Sequence, residues 1–270
     1  MREVPPDLFG SVRRPRVLVV AAHPDDETIG AGALLWTLSS SECDVAIAHA
    51  TDGAPLNMSD AHAHGFDTRE AYAAAREGEL REAFSCLPTP PERFRFGFAD
   101  QSLARRLGDA AGALVDLLRS WRPSVVLTHP YEGGHPDHDT VALMVTFAIA
   151  SSDVADPPRH IEFTSYHLAN GVPRSGVFLR EDGPVSVVEL TDRLRRVKEE
   201  MLACFATQRE TLAGFDAGAP EFFRPAPRYD FRQPPHAPPL LYDLYDWGIG
   251  SDEWRARAAA FLDAGSAACR

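Results

Sequence analysis

The first 150 residues alternate between two hydrophobic patterns. Short apolar runs, which are typical of buried parallel strands, occupy residues 16–22, 44–50 and 124–129, and a further strand is predicted at 93–98. Apolar side chains at helical spacing occupy residues 28–40, 68–87, 103–121 and 137–151. Strands that alternate with helices predict a doubly wound, mostly parallel α/β sheet with helices on both faces. In such a sheet, ligands bind beyond the carboxyl ends of the strands.

The second half of the chain has a different pattern. Short strands are predicted at residues 161–168, 176–180 and 185–190, and a helix is predicted at 191–207. Residues 214–240 are so rich in proline and aromatic side chains that we expect neither a regular helix nor a central strand there. The segment is also too aromatic for a free linker, so we expect it to cover the core or to line a cleft.

The overall organisation is expected to be one domain over residues 1–270. Its sheet core spans residues 1–152, and a smaller α+β portion at 153–270 covers the substrate cleft. Residues 51–67 are polar and are predicted to form a long loop, which is either a mobile lid or a plain surface loop. The sequence Gly-Ala-Gly at 30–32 resembles the start of a dinucleotide fingerprint, but the third glycine is missing, which argues against a nicotinamide cofactor.

The composition narrows the range of partners. The formal net charge is -12, which argues against a nucleic-acid partner because phosphates would be repelled. It also disfavours a substrate recognised mainly through its own negative charge. The cysteines form no CxxC pair, which argues against a structural zinc or iron–sulfur site. They are Cys43, Cys86, Cys204 and Cys269.

The N-terminal residues predict no targeting segment. Residues 1–15 contain no apolar stretch of signal-peptide length, and the apolar run at 17–22 is too short to cross a bilayer. We therefore expect a cytoplasmic protein that does not associate with a membrane.

Two histidine–proline–aspartate segments directly follow predicted strands. HPDDE at residues 23–27 follows the first strand, and a second segment at residues 129–138, which ends in HPDH, follows the fourth. Carboxylates packed at the end of a buried strand repel one another, and a cation would relieve that repulsion. Imidazole and carboxylate ligands suit zinc, and iron(II) also occupies sites of this composition. Each aspartate alone is equally consistent with a helix cap, but two such segments at corresponding strand ends favour a metal site.

The residues of these segments fill the roles of a zinc hydrolase. The expected metal ligands are His23, Asp26 and His138. We expect Asp25 to be the base that takes a proton from the attacking water. His135 is expected to donate to the developing oxyanion and to protonate the leaving amine, with Asp137 holding its imidazole.

The two motifs also carry a family resemblance. AHPDDE at residues 22–27, paired with GHPDHD at 134–139, resembles the LmbE-like (PIG-L) de-N-acetylase family in motif order and in strand context. The resemblance implies a Rossmann-like α/β fold with a smaller C-terminal part. It implies a zinc-dependent enzyme that removes the acetyl group from N-acetylglucosaminyl conjugates, with the metal, base and acid positions assigned above.

Further positions resemble the family less specifically. Arg76, within the stretch REGEL, resembles an arginine that contacts sugar hydroxyls, and Asp100 resembles an aspartate that also binds the sugar. The alternatives are an exposed helical arginine and a helix cap. Relatives in thiol-cofactor biosynthesis carry a tyrosine where this chain has Gly133, which counts against that branch. Any tyrosine that stabilises the oxyanion must then lie elsewhere in the sequence, and Tyr131 is one candidate.

The C-terminal stretch at residues 221–236 resembles a bacterial subgroup of the family. The resemblance implies that His236, Tyr229 and Trp247 line a substrate cleft; the alternative is that this aromatic segment completes the core. Chain length and the polar first segment are similar to those of deacetylases of teicoplanin-type glycopeptide antibiotics. The expected substrate is therefore the N-acetylglucosaminyl pseudoaglycone. The alternatives are a small thiol-precursor or other amino-sugar conjugate, a non-sugar amide or ester, and a non-catalytic carbohydrate-binding protein of the same fold.

Overall fold

The elements follow from a computed structural model that describes residues 14–41, 43–180 and 183–268, together with residues 5, 8–10 and 12. The strands are β1 (Arg16–Ala21), β2 (Asp44–Pro55), β3 (Glu92–Asp100), β4 (Val125–Thr128), β5 (Arg159–Phe163), β6 (Tyr166–Ala169), β7 (Val172–Ser175), β8 (Ser186–Val188) and β9 (Glu221–Pro225). The helices are α1 (Asp26–Ser39), α2 (Ser59–Ala63), α3 (Arg69–Ser85), α4 (Leu107–Trp121), α5 (Pro136–Ser151), α6 (Asp192–Ala203), α7 (Arg209–Leu212) and α8 (Ser251–Ala268).

The main sheet has the strand order β3-β2-β1-β4-β5-β9-β8. The first five strands in this order are parallel, whereas β9 pairs antiparallel with both β5 and β8. The chain moves outward from β1 through β2 to β3, and then returns to the other side of β1 to form β4. The carboxyl ends of β1 and β4 therefore flank the topological switch point, where an open α/β sheet binds its ligands. The mixed, mostly parallel α/β fold confirms the prediction from the sequence.

Alternate side chains of β1 enter two separate cores. Leu18 and Val20 are buried against the face that α4, α5 and α8 cover. Val17 and Val19 are buried against the opposite face, which α1, α3 and α6 cover. Because both faces are covered, the strands are apolar at successive positions, and this explains their continuous hydrophobic pattern.

Two strand predictions in the second half are wrong. Residues 221–225 form β9, an interior strand, although the proline content of this segment predicts no central strand. Pro225 is the last residue of that strand, where a missing N–H interrupts little of the ladder. The predicted strand at 176–180 does not form, because the chain turns at Gly176, whose φ is +71°.

Two further segments differ from their predictions. Residues 51–67 are not a single loop, since β2 continues to Pro55 with shifts in its register against β3, and α2 follows. The terminal helix α8 is not predicted because its alanine-rich sequence gives a weak apolar pattern. Trp254 and Ala258 anchor it to the core beside α5. Among the residues that the structure describes, no helix has the length and apolar character needed to cross a membrane.

The described cysteines form no disulfide. Cys43, Cys86 and Cys204 carry free thiols, while Cys269 lies outside the described residues. The N-terminal stretch at 1–15, which predicts no targeting segment, also lies mostly outside them.

Helix α1 is kinked, and a side chain from the C-terminal half of the protein accepts hydrogen bonds from the backbone at the kink. Ala31 leaves helical geometry with a φ of −147°. The carboxylate of Glu221, on β9, accepts hydrogen bonds from the backbone N–H groups of Ala33 at 2.8 Å and Leu34 at 3.0 Å, and it pairs with Lys198 at 2.8 Å. The donors that the kink frees are therefore satisfied by a buried ion pair, which fixes the direction of the helix.

The close contact at this kink generates a stability prediction. A Cβ atom at Gly30 would lie 2.2 Å from the ring of Phe163, which is buried. Gly30→Ala should therefore lower the free energy of unfolding by about 1–3 kcal/mol, the usual effect of overpacking. The matched control is Gly78→Ala in α3, where a Cβ would meet nothing within 4 Å. That variant should be unchanged or more stable by roughly 0.5–1 kcal/mol in urea denaturation. Equal effects of the two substitutions would contradict the packing account.

Candidate metal centre

The two motif segments face each other at the switch point. HPDDE leads from β1 into α1, whose first residue is Asp26. HPDH leads from β4 into α5, whose N-cap is His135. Both segments are short links between a strand and a helix, so their backbones are held at both ends. This geometry places the predicted metal-binding side chains on rigid elements.

The three predicted metal ligands come together. His23 Nδ1 lies 3.2 Å from Asp26 Oδ2, and His138 Nε2 lies 3.2 Å from Asp26 Oδ1. His138 Nε2 also lies 3.3 Å from His23 Nδ1. Ligand atoms at the corners of a zinc tetrahedron with ordinary bond lengths are separated by about 3.3 Å. Each histidine faces a different oxygen of Asp26, and the donor set of two imidazoles and one carboxylate suits a tetrahedral metal with one position left for water.

The pKa values of the ionisable groups indicate that a cation would stabilise the centre. Burial raises the pKa of Asp25 to about 8, and burial also raises the pKa of Asp137. Burial acts to lower the pKa of His23, but the carboxylates of Asp100 and Asp26 outweigh it and raise that pKa well above its usual value. Burial thus disfavours the charged form of Asp25 and Asp137, while the neighbouring carboxylates favour the charged form of His23, and a divalent cation would favour ionised carboxylates here.

Neighbouring groups set the state of His138. Burial lowers its pKa to about 4, so the imidazole is neutral, which is the form that binds metals. Its Nδ1 lies 3.1 Å from the hydroxyl oxygen of Ser165. With the proton on Nδ1, this contact leaves the Nε2 lone pair free for the metal. Ser165 lies in the second half of the chain, between β5 and β6.

His129 also lies beside the centre, but its contacts place it outside the ligand set. Its Nε2 lies 3.4 Å from Asp26 Oδ2, and its ring stacks on that of His138 with a centroid distance of 3.9 Å. That nitrogen accepts a hydrogen bond from the backbone N–H of Ala22 at 3.1 Å. The lone pair is therefore used by the backbone, and His129 supports the ligands by packing.

Asp25 is held in an unusual conformation. It is buried, and its φ is +139°, a region that side-chain-bearing residues rarely adopt. Its carboxylate makes no capping hydrogen bond to α1 but lies 3.1 Å from Nη2 of Arg76. A simple helix-cap role does not explain this position, whereas a carboxylate directed beside the ligand set does.

Arg76 lines the cavity that is described below, and its guanidinium already donates hydrogen bonds to other groups of the protein. Its Nη2 donates to the carbonyl oxygen of Pro24 at 2.8 Å, and its Nη1 donates to that of Gly53 at 3.0 Å. Together with the contact to Asp25, these bonds hold the base-bearing segment. The alternative of an exposed helical arginine is excluded, since Arg76 is 3% exposed. A contact between Arg76 and a sugar remains a prediction.

The structure corrects the expected partner of His135. Its Nδ1 accepts a hydrogen bond from the backbone N–H of Asp137 at 3.1 Å, and the carboxylate of Asp137 does not hold the ring. That carboxylate accepts instead from the N–H groups of Gln101 at 2.7 Å and Leu103 at 3.1 Å. Burial lowers the pKa of His135, so the ring is neutral with its proton on Nε2, 3.9 Å from Asp100 Oδ1. His135 can therefore donate a hydrogen bond into the cavity.

A cavity of about 340 Å³ opens above the centre. Asp100 lines it, as the sequence resemblance implies, with Oδ1 2.9 Å from His23 Nε2. Trp247 also lines it, and its ring lies 4.6 Å from that of His135. The sequence gives no signal for several other lining residues, because each is a single side chain on a distant element. They include His64, Tyr72, Tyr166, Thr207 and Phe215.

Three residues that the sequence suggests for the cleft or the oxyanion do not line this cavity. His236 is not among the described residues that line this cavity, and its Nδ1 contacts the neighbouring carbonyl of Ala237 at 2.9 Å. Tyr229 donates from its hydroxyl to the buried carboxylate of Glu162 at 2.9 Å. Tyr131 donates to the carbonyl of Gln233 at 2.9 Å. Tyr131 lies in the core that α4, α5 and α8 cover, and Tyr229 packs against it, which supports the alternative that the aromatic segment completes the core.

The family follows from sequence comparison. Residues 18–149 match the family model described as PIG-L: GlcNAc-PI de-N-acetylase. The matched range contains both motif segments and every predicted ligand. Residues 18–149 form a PIG-L domain. This confirms the resemblance that the two motifs carry.

The PIG-L domain has relatives in sequence and in structure. A 1D-myo-inositol 2-acetamido-2-deoxy-alpha-D-glucopyranoside deacetylase of Rhodococcus jostii (strain RHA1) is 31% identical over 164 residues, which cover 53% of this chain and 56% of the relative. A deacetylase triple mutant from the teicoplanin biosynthetic pathway has a TM-score of 0.63 at 18% identity, covering 80% of this chain and 99% of its own. The chain spans about half the length of the curated relatives it matches.

The fold is shared beyond deacetylases. GalB, the 4-carboxy-2-hydroxymuconate hydratase from Pseudomonas putida KT2440, has a TM-score of 0.55 at 16% identity, covering 80% of this chain and 98% of its own. At such identities the likeness shows the fold alone. The chemistry of this PIG-L domain must therefore be argued from its side chains.

The conformation of Asp25 generates a prediction that separates strain from function. Asp25→Gly and Asp25→Ala both remove the carboxylate, but only glycine adopts a φ of +139° without strain. Asp25→Gly should therefore be more stable than Asp25→Ala by about 1–3 kcal/mol. Thermal unfolding of the two metal-free variants measures the difference, and identical melting temperatures would show that no strain is stored there.

Proposed function

We propose that the protein is a zinc-dependent hydrolase that removes the N-acetyl group from an N-acetylglucosaminyl conjugate. The observation that carries the proposal is the spacing of 3.2–3.3 Å that links His23, the two oxygens of Asp26 and His138, beside a cavity that His23, Asp25, Asp26 and His135 line. Three protein ligands with one open position are typical of catalytic zinc, whereas structural zinc is closed by four.

The chain's own residues divide the chemistry between them. When bound, zinc would lower the pKa of water and polarise the amide carbonyl. Asp25 accepts a proton as water attacks the carbonyl carbon, and Arg76 keeps that carboxylate in place. His135 donates a hydrogen bond to the carbonyl oxygen as negative charge develops there. The proton that Asp25 took from the water passes to the nitrogen as the C–N bond breaks, so the products are acetate and a free amine.

Two kinds of comparison bear on the identity of the carrier, the group to which the sugar is attached. The sequence relatives, at 31–35% identity, are named as deacetylases of an N-acetylglucosaminyl inositol, which supports a small neutral conjugate. The expected glycopeptide pseudoaglycone is supported by solved structures at 16–18% identity, and these argue only for a shared fold. We therefore favour the N-acetylglucosaminyl unit as the feature recognised and place the small conjugate ahead of the pseudoaglycone.

Two other functions fit the site less well. The hydratase neighbour is named for a carboxylated substrate, but the only guanidinium among the cavity's described lining residues, that of Arg76, is already bonded to the protein. A non-catalytic carbohydrate-binding protein has no need of a strained, buried carboxylate beside the ligand set. The position of Asp25 thus favours a hydrolase over both.

Metal binding is the first test of this proposal. Purified protein should hold about one zinc per chain, as expected for a catalytic centre. Asp26→Ala removes the carboxylate that contacts both histidines, so its zinc affinity should fall by at least one to two orders of magnitude. Competition with a chelating dye measures the affinity, and unchanged affinity would reject the ligand assignment.

Turnover of the adjacent aspartate variant is the second test. Asp25→Ala should retain zinc and lose roughly two to four orders of magnitude in kcat, the usual contribution of a positioned base. Acetate release from N-acetylglucosaminyl inositol measures the rate. Tyr131→Phe is the matched control, since its hydroxyl contacts Gln233 away from the cavity, and it should keep full activity. An active Asp25→Ala enzyme would remove Asp25 from the role of base.

A further inference from the structure

The peptide unit that joins Pro24 to Asp25 is held on both of its polar edges. Its carbonyl oxygen accepts a hydrogen bond from Nη2 of Arg76 at 2.8 Å, and its N–H donates to Oε2 of Glu27 at 3.2 Å. Arg76 and Glu27 are both buried. Because a peptide unit is planar, hydrogen bonds to its two opposite edges fix the orientation of the whole unit.

The peptide unit that follows Asp25 is fixed by helix α1. The carbonyl oxygen of Asp25 accepts hydrogen bonds from the N–H groups of Thr28 and Ile29, each at 2.9 Å. Both peptide units that flank the Cα atom of Asp25 are therefore held by the protein, and the φ of +139° follows from their relative orientation. A strained conformation persists only where the surrounding structure determines it in this way.

Glu27 is anchored to the neighbouring strand. Its side chain is fully buried, and its carboxylate has three contacts of hydrogen-bond length. Besides the N–H of Asp25, they are the hydroxyl of Thr28, which donates to Oε1 at 2.7 Å, and Nε2 of His49, which lies 2.9 Å from Oε2. His49 lies on β2, where it pairs with Ala21 of β1. The acceptor of the Asp25 N–H is therefore attached to a second strand of the sheet.

The environment of His49 determines which of its nitrogens carries the proton. The residue is 2% exposed, and its Nδ1 has no hydrogen-bond partner among the described residues. A proton on Nδ1 would therefore be a buried donor without an acceptor, which is costly. We assign the proton to Nε2, so the imidazole donates a hydrogen bond to Glu27.

Helix capping alone does not account for Glu27. An acid in the first turn that accepts from the N-cap N–H stabilises the start of a helix, as in a capping box. Such a role requires neither burial nor a partner on another strand, and Glu27 has both. The N–H group from which it accepts also belongs to the residue with the strained backbone. These contacts indicate a role in fixing Asp25.

We propose that Glu27 and His49 are positioning residues: with Arg76, they hold the backbone of Asp25 so that its carboxylate lies beside the predicted metal ligands. The proposal rests on the proposed deacetylase function, in which Asp25 is the base, and adds to it the residues that orient this base. Glu27 and His49 are not among the described residues that line the metal-centre cavity, so they act through Asp25 without touching the substrate.

The kinetics of Glu27 variants, all zinc-loaded, are the first test. Glu27→Ala removes the acceptor of the Asp25 N–H, so kcat should fall by about 10–100-fold, because a small displacement of a catalytic group has an effect of this order. KM and zinc affinity should stay close to those of the wild type. Glu27→Gln should recover most of the activity, since its amide oxygen can accept from Asp25 while its amide nitrogen donates to Thr28. Acetate release from N-acetylglucosaminyl inositol measures the rate, and a wild-type kcat in Glu27→Ala would overturn the proposal.

His49 provides a second route to the same test. His49→Ala leaves Glu27 in place without its anchor, so kcat should fall, but by less than in Glu27→Ala. His49→Gln restores a donor and should recover kcat. This pair keeps the test valid if Glu27→Ala fails to fold, and a His49→Ala enzyme with wild-type kcat would remove His49 from the positioning role.

A double substitution separates positioning from stability. In an Asp25→Ala background, Glu27→Ala should lower kcat no further, because the group that Glu27 positions is already absent. Losses that multiply would show that Glu27 acts independently of Asp25 and would contradict the proposal. Leu38→Ala is the control, since Leu38 is buried on the same helix about three turns beyond Asp26. It should lower the Tm and leave kcat at the wild-type value; an equal loss of kcat in this variant would assign the effect to stability instead.

The strain at Asp25 gives a readout that is independent of turnover. The difference in Tm between Asp25→Gly and Asp25→Ala, measured on metal-free protein, reports how firmly the backbone is held at positive φ. In a Glu27→Ala background this difference should shrink by roughly half, because one of the two hydrogen bonds to the preceding peptide unit is lost. A Leu38→Ala background should leave it unchanged. An undiminished difference in the Glu27→Ala background would overturn the positioning role while the deacetylase function stands. If no conjugate is hydrolysed, the proposed function fails, and the Tm comparison still decides whether Glu27 holds Asp25.

Discussion

The repulsion among buried carboxylates at the switch point is the constraint on which the site depends. Asp25, Asp26, Asp100 and Asp137 are each at most 9% exposed, and the last three contact the imidazole of His23. Such a group of charges is stable in a poorly solvated site only when cations or protons compensate it. Neighbouring carboxylates raise the pKa of His23, and burial raises that of Asp25. A divalent metal would compensate the carboxylates and, in the proposed function, would supply the chemistry of a hydrolase.

The C-terminal half holds the two motif segments in place through buried ion pairs. Glu221, paired with Lys198, fills the kink of α1, which begins at a predicted metal ligand. Glu132, within the second segment, accepts from Arg224 at 3.3 Å and from the N–H of Leu179 at 2.8 Å. Removing one partner of such a pair leaves an uncompensated buried charge, so these contacts specify the geometry strongly. The antiparallel extension of the sheet thus serves to position the centre formed by the parallel half.

The comparisons and the side chains answer different questions. A shared fold links this chain both to deacetylases and to a hydratase. The fold therefore fixes where a ligand binds and leaves the reaction to the residues that line the crevice. Here these residues are a buried aspartate in a strained conformation, a neutral imidazole that can donate, and carboxylates whose only guanidinium neighbour among the described lining residues is bonded to the protein. They support the proposed hydrolysis of a neutral amide.

Local patterns in the sequence were sufficient to predict the parallel core and the position of the candidate metal centre. The continuous apolar runs reflect burial on both faces of the sheet, and His23, Asp26 and His138 follow strands whose carboxyl ends must meet at the switch point. Only the tertiary structure decided the roles that depend on distant contacts. It placed β9 inside the sheet, tied His135 to a backbone N–H instead of the Asp137 carboxylate, and brought Tyr166 and Phe215 to the cavity while His236 stayed outside. Periodicity and motif spacing depend on residues that are close along the chain. These contacts join residues that are far apart along the chain, so they are set only when the tertiary structure packs.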